Sequence, residues 1–490
     1  MDIRAEFDAF DDKPRASFVA ATAVLVVGVI VSIFALFIWL NHDPTRLLEA
    51  ERPGYDGVPS GAAALAPKVN LAGVFESMGG QPADLPGYWP SFRGPTVDNI
   101  SQDAPSLANA WPAEGPKILW SVDIGNGYAA PAVMDGVVYL MDYNEEERKD
   151  LLRAFSLADG SEIWRRSYKV MVKRNHGMSR TIPAVTEEYV LTLGPKCHVV
   201  CLDRVTGDFR WGIDLQTEYG TVEPLWYAAQ CPRIDDGNVI LAPCGEEVLM
   251  MAVNCESGEV QWTTPNPHGW DMSHASIIPM TLLGKKMYVY AALGGIVGVS
   301  AEAEDIGAIL WEIPWVAKVV APSPVPVGED QILITAGYGT GNMMLRLSED
   351  NGTFTPTVEY SYAPGEGLSC EQQTPIYSDG LLYGIMPKDA GSLKGQFVAY
   401  NPDGTLKWSS GNDSRFGFGP FLKADNKFYI LDDHGVLTML ESSTEGYTQL
   451  GQAQVLHGHD PWGPIALAGS RMLLRDMDNL ICVEVGADAS

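Results

Sequence analysis

Seven side chains with recognition or proton-transfer chemistry stand just ahead of a recurring proline. They are Arg180, Gln230, His274, Glu371, Gln373, Arg415 and Trp462, and the prolines are Pro183, Pro232, Pro279, Pro375, Pro420 and Pro464. An arginine offers paired N–H donors that match a carboxylate. Tryptophan offers a flat face for stacking. Glu371, or Asp460 close to Trp462, offers oxygen to a cation or a general base. His176, His268, Trp270, His457 and His459 occur in loops near these segments. If the segments converge, arginine and histidine gather at one place in a chain whose net charge is −29. Such a place suits an anionic ligand held among aromatic faces. The competing reading is a wet polar channel whose side chains bond only to one another and to water. His268, His274, His457 and His459 lack the Cys or carboxylate spacing of a zinc site, and no nucleophile–base pattern points to a hydrolase.

The elements that would position these residues come from an internal repeat. Prolines 131, 183, 232, 279, 324, 375, 420 and 464 each open an alternating apolar run followed by a turn. A second marker is a polar turn ending in glycine with a tryptophan four residues on: Gly160/Trp164, Gly207/Trp211, Gly258/Trp262, Gly307/Trp311 and Gly404/Trp408. Gly352 and Gly446 mark two copies without the tryptophan. A period near 50 residues with several short strands per unit specifies a β-propeller. Eight proline marks give eight blades of four strands, an all-β fold. The last unit ends at its third strand, 479–485, and a spare tryptophan strand, 117–122, precedes the first. Pairing the two closes the ring and leaves no open edge. The repeat tryptophans are expected to pack between blades.

Composition limits the partners. There are 62 acidic residues against 33 basic ones, which excludes a nucleic-acid partner because phosphate binding needs a basic footprint. Fifty glycines, 33 prolines and 46% apolar residues describe a turn-rich chain with a large core. Ser17–Leu40 carries no charge over 24 residues, enough to span a bilayer, so the chain is expected to be integral to a membrane through one uncleaved helix. Arg4, Lys13 and Arg15 precede it, while Arg46 and Arg52 follow. That asymmetry places residues 1–16 inside and the large domain outside the cytoplasm. Residues 41–88 read as a Gly/Ala/Pro-rich tether with room for a short helix at Val69–Met78.

Of the seven cysteines, Cys197 and Cys201 fall on one expected strand, too far apart for a disulfide, and read as small buried residues. Cys231 and Cys244, on two arms of one hairpin, are the best-placed pair for a disulfide if one forms.

Cys201–Trp211, with Asp203, Thr206, Gly207 and Trp211, resembles the pyrroloquinoline-quinone (PQQ) type of propeller repeat. Trp89-Pro90-Ser91-Phe92-Arg93-Gly94-Pro95 is similar to the lead-in of bacterial PQQ-like propellers, and the resemblance covers roughly 89–486. It implies one of two roles. BamB-like members are scaffolds of membrane assemblies without a cofactor. Quinoprotein alcohol dehydrogenases bind PQQ with calcium and pass electrons to a quinone or cytochrome. In the second role Arg180, Arg415, His274 and Trp462 would hold the quinone. This chain has neither the adjacent cysteine pair common in that branch nor a Cys-x-x-Cys-His haem motif. The expectation is therefore a scaffolding subunit on the periplasmic side of a bacterial inner membrane. Its partners would be other membrane or extracytoplasmic proteins, and no cofactor is required by the sequence.

Overall fold

The computed structural model describes residues 12–41, 68–102, 104–174 and 176–487. The chain divides into an N-terminal unit, 1–52, and a second unit, 53–490. In the first, Asp12–Asn41 is a helix whose Val19–Leu36 stretch is long and apolar enough to cross a membrane and has no buried residue.

The second unit is an eight-bladed β-propeller. Blade 1 consists of Ala132–Met134, Val137–Asn144, Lys149–Ser156 and Glu162–Lys169. Blades 2 to 7 open with Ala184–Val185, Arg233–Asp235, Ile278–Leu282, Val325–Val327, Ile376–Ser378 and Phe421–Ala424. Blade 8 opens with Ala466–Ala468. Each core sheet is a four-stranded antiparallel meander. The first strands of neighbouring blades meet one another, so they form the inner ring. The outermost strand of blade 8 is Ile118–Asp123, antiparallel to Asn479–Glu484, with Trp120 opposite Cys482.

Blades are joined by the repeat tryptophans. Trp120, Trp164, Trp211 and Trp262 each lie over the turn glycine of the next blade, Gly160, Gly207, Gly258 and Gly307. A Cβ at any of these would come within 2.7–3.1 Å of the ring. The indole N–H groups of Trp120 and Trp211 donate to the Leu157 and Cys255 carbonyls at 3.0 and 2.8 Å. The other four blades depart from the rule: Trp408 of blade 6 leaves Gly446 in open space, blade 7 has Leu450 in the tryptophan's place, and blades 4 and 5 differ as follows. In blade 5 the stacked Tyr360–Tyr362 pair, centroids 4.8 Å apart, takes the tryptophan's place over Gly404. In blade 4 Trp311 turns back onto Gly298 and Met287 of its own blade.

The segment 68–102 differs from the expected tether. Val74–Ser77 is not helical; it is a strand added to the outer edge of blade 1, pairing with Trp164–Ser167. Edge pairing captures it because Glu162–Lys169 otherwise presents open hydrogen-bonding groups. Tyr88–Trp89 pairs with the inner strand of blade 1, and Ile100–Ser101 runs parallel to the inner strand of blade 7. The cysteines are all buried and free, so Cys231 and Cys244 are not bridged. Burial pushes the Cys231 thiol up to about 11, consistent with an unreactive core residue.

The interblade contact has a direct test. Gly207→Ala adds a methyl against the Trp164 and Phe75 rings at a positive φ, and should lower stability by about 1–3 kcal/mol. Gly446→Ala meets open space and should change stability by no more than about 0.5 kcal/mol. Denaturant melts of the two variants measure the difference.

Candidate functional site

In a four-stranded meander, the loop before the first strand and the turn between the second and third strands emerge on the same face. The residues ahead of each proline therefore share one face with the turns at Tyr338, Lys388 and Asp433. Together with the inner strands they enclose a central cavity of about 400 Å³.

Its far end is floored by the lead-in segment, which crosses the ring. Pro90 accepts from the Val185 amide of blade 2 at 2.8 Å. Arg93 reaches blade 6, its Nη1 and Nη2 donating to the Thr374 and Pro375 carbonyls at 2.9 Å each. Its Nε and Nη2 also donate to Val97 and Asp98 carbonyls within the segment. Asn99 donates to the Phe421 carbonyl of blade 7. Phe92, Arg93 and Asn99 thus become part of the cavity wall.

Aromatic rings make most of the remaining wall. Tyr128 stacks on Trp462 with centroids 5.4 Å apart, and Phe418 meets Trp462 edge-on at 5.4 Å. Trp226 lies 5.6 Å from Tyr338 and 6.3 Å from His274. Trp226 adopts φ 65°, a left-handed conformation that is costly for a large side chain and swings its ring toward the cavity. Trp462 is fixed by its indole N–H donating to Asp433 at 2.8 Å, and its carbonyl accepts from Gln373 at 3.0 Å.

Arg180 is the open cation. Its Nε donates to the Trp226 carbonyl at 2.6 Å, and its guanidinium carbon sits 4.9 Å from the Tyr128 ring centre. Among the described residues, neither of its Nη atoms meets a protein acceptor. Burial pulls its pKa down only to about 10, so it stays charged at neutral pH. His274 is neutral there: burial, with Arg180 nearby, pulls it down to about 4. Its Nε2 lies 2.5 Å from the Leu225 carbonyl, so Nε2 carries the proton and Nδ1 is a bare lone pair, buried and unpartnered. Glu371 is engaged: it accepts from Lys388 Nζ at 2.7 Å, and that ammonium also lies 4.6 Å from the Tyr338 ring centre. The Glu371 bond raises the Lys388 pKa.

Five of the seven expected site residues therefore line one cavity: Arg180, His274, Glu371, Gln373 and Trp462. Two do not. Gln230 is fully buried and ties blade 3 to blade 4, exchanging hydrogen bonds with Ala242 and donating to the Tyr290 hydroxyl. Arg415 is exposed and binds the Lys394 and Ser392 carbonyls and Asn412, clasping its own loop. His176 joins the wall, whereas His268 pairs with Glu312 at 2.6 Å on the surface. The sequence reading missed Tyr338, Lys388 and Phe418 on the mouth and Phe92, Arg93 and Asn99 on the floor. A signal for the first two existed, since any residue between second and third strands lies on the same face as the proline loops.

Comparison with known proteins agrees with this architecture. Residues 147–349 match the family model described as outer membrane protein assembly factor BamB. The match spans less than half of the chain, and over it the repeats are similar to PQQ-type, BamB-like propeller repeats. BamB from Moraxella catarrhalis has a similar structure, with a TM-score of 0.50 and 13% identity over 75% of this chain and 99% of that one. The quinohemoprotein alcohol dehydrogenase ADHIIG from Pseudomonas putida HK5 is similar over 82% of this chain and 81% of its own, with a TM-score of 0.54 and 12% identity. At these identities the likeness is one of fold. No curated protein matches the chain.

The dehydrogenase fold raises PQQ with calcium as a candidate occupant, and the donor set does not fit it. Calcium takes six to eight oxygens. The cavity's carboxylate is Glu371, already neutralised by Lys388. Among the described residues, no group of three or more His, Cys, Asp and Glu could hold a metal ion. The free cysteines provide no disulfide to cover a quinone.

The state of His274 sets a pH dependence. Its folded pKa, about 4, is below its ordinary 6.5, so the unfolded chain takes up a proton first as pH falls. The contribution is fully present above pH 6.5 and is lost between about 6.5 and 4. As pH falls through that window the native chain should lose melting temperature relative to His274→Gln, a comparison that separates this group from Asp150 and His198, which burial also shifts.

Proposed function

We propose that the chain is a membrane-anchored, extracytoplasmic propeller that serves as a binding and scaffolding subunit of a larger membrane-associated assembly. The observation that carries this reading is the division of labour inside the cavity. Its recognition groups line the cavity: the open Arg180 Nη donors and the rings of Trp226, Tyr338 and Trp462. Its proton-transfer groups are poorly suited to exchange: Glu371 is paired with Lys388, and His274 donates to a carbonyl and keeps an open Nδ1 that is a weak base, its pKa pulled down to about 4 by burial. General acid–base work needs a group poised to exchange a proton with substrate. This site is built to hold rather than to convert. The apolar stretch Val19–Leu36, with Arg4, Lys13 and Arg15 before it against Arg46 and Arg52 after it, supports an anchor in a bacterial inner membrane with the propeller on the periplasmic side.

The full chain, solubilised from its native membrane in mild detergent, should migrate as a complex larger than the monomer. Trp226→Ala with Tyr338→Ala should dissociate it, while Val205→Ser, on an exposed turn, should leave it intact. A monomer throughout, or a complex indifferent to the cavity variant, would remove the reading.

The alternative role, a PQQ-dependent dehydrogenase, draws on the same open arginine and stacking walls. Titration of PQQ with calcium into the full chain separates the two. No calcium-dependent, stoichiometric binding is expected at low micromolar PQQ; such binding would favour the dehydrogenase.

A further inference from the structure

We infer that the central cavity takes its ligand end-on, as a single carboxylate carried on an aromatic or apolar body, with the Arg180 guanidinium as the carboxylate receptor. The inference rests on the binding-module reading and gives it a ligand class. Three independent observations lead to it.

The first is the floor. Pro90, Arg93 and Asn99 are bonded to the inner strands of blades 2, 6 and 7, so the lead-in segment closes the ring at one end. A ligand enters and leaves by the mouth alone. A polymer cannot be threaded through; a small molecule or the end of a chain can be inserted.

The second is charge. The charged side chains of the wall include Arg93, Arg180, Lys388 and Glu371. Arg93 spends four of its five N–H donors on backbone carbonyls and faces inward as structure rather than as a receptor. Lys388 is matched by Glu371 at 2.7 Å. Arg180 alone offers a planar pair of open donors, the geometry that a carboxylate meets with two parallel hydrogen bonds. Behind the aromatic wall stand Asp433, bonded to Trp462, and Asp460, 3.5 Å from the Tyr128 hydroxyl. Among the described residues, Arg93 and Arg180 are both cations without a carboxylate partner, but only Arg180 has a pair of open donors, so the site offers hydrogen bonds for one carboxylate.

The third is the unspent polar atom. His274 Nδ1 is a buried acceptor without a partner, on a residue that lines the same cavity as Arg180. An indole N–H, a peptide N–H or a water carried in with the ligand would satisfy it. With aromatic faces on several sides and about 400 Å³ of space, the body beside the carboxylate is a ring or an apolar side chain.

This chemistry has two sources: a free aromatic carboxylic acid, or the C-terminus of a polypeptide ending in an aromatic residue. The test uses the full chain in detergent, with Trp226 and Trp462 fluorescence and calorimetry as readouts. The probes are indole-3-propionic acid, its amide, an N-acetylated tetrapeptide ending in phenylalanine as the free acid, and the same peptide as the C-terminal amide. At least one acid should bind about 10-fold or more tightly than its own amide, the loss expected when a charge-assisted pair is removed. Arg180→Gln should erase that preference. If Arg180→Gln does not fold, the acid–amide comparison on the native chain decides alone. Preference for indole-3-propionic acid alone identifies a free acid; preference for the peptide acid alone identifies a chain terminus; both support the inference. Equal binding of each acid and its amide, or no saturation by any probe up to about 5 mM (a standard free energy near −3 kcal/mol), would overturn it. A chain that assembles with partners yet shows no acid preference would lose this inference and keep the proposed function. An acid preference in a chain that stays monomeric would do the reverse.

Discussion

A guanidinium removed from water must have its N–H groups met, or the burial is costly by several kcal/mol. Arg93 meets that constraint across the middle of the ring, with two carbonyls from its own segment and two from blade 6. Burial pulls its pKa down only to about 10, so it holds those carbonyls as a cation. The rest of the cavity depends on this. Without Arg93 the Tyr88–Ser101 crossing would lose its bonds to blade 6 and keep those to blades 1, 2 and 7. With it, Trp226, Tyr338, Phe418 and Trp462 stand over a fixed base, and Arg180 is the cation left with something to offer.

The propeller itself rests on a simpler repeated contact. A tryptophan on the outer strand of one blade lies on the turn glycine of the next, and the positive φ of that turn keeps a side chain away. Blades 4 and 5 show what the contact tolerates. Two stacked tyrosines replace the indole over Gly404, and Trp311 abandons its neighbour for Met287. The ring survives because its inner strands also meet, and because Ile118–Asp123 completes blade 8 from the far end of the sequence.

These contacts explain what could be read from residue order. Proline cannot donate to a sheet ladder, so it marks strand starts, and eight such marks define eight blades. The residues just before those marks include Arg180, His274, Glu371, Gln373 and Trp462, which do meet at the cavity. Gln230 and Arg415 hold the same sequence position and do not. A loop residue a few positions ahead of the inner strand can point into the blade interface, as Gln230 does, or turn back on its own loop, as Arg415 does. The floor was illegible for another reason. Tyr88–Trp89 and Ile100–Ser101 are too short to carry a periodic signal and gain their structure from the inner strands of blades 1 and 7. Tyr338 and Lys388 lie on turns between second and third strands, which the recurring proline does not mark.

The central claim is that this cup, floored by the lead-in segment, is where the propeller binds. Hydrogen exchange of the full chain with and without saturating indole-3-propionic acid tests it most directly. Added protection should appear in peptides covering Arg180, Trp226 and the Tyr338 turn, and in the floor at Phe92–Asn99. Protection confined to the outer strands, or none at these four places, would contradict the account.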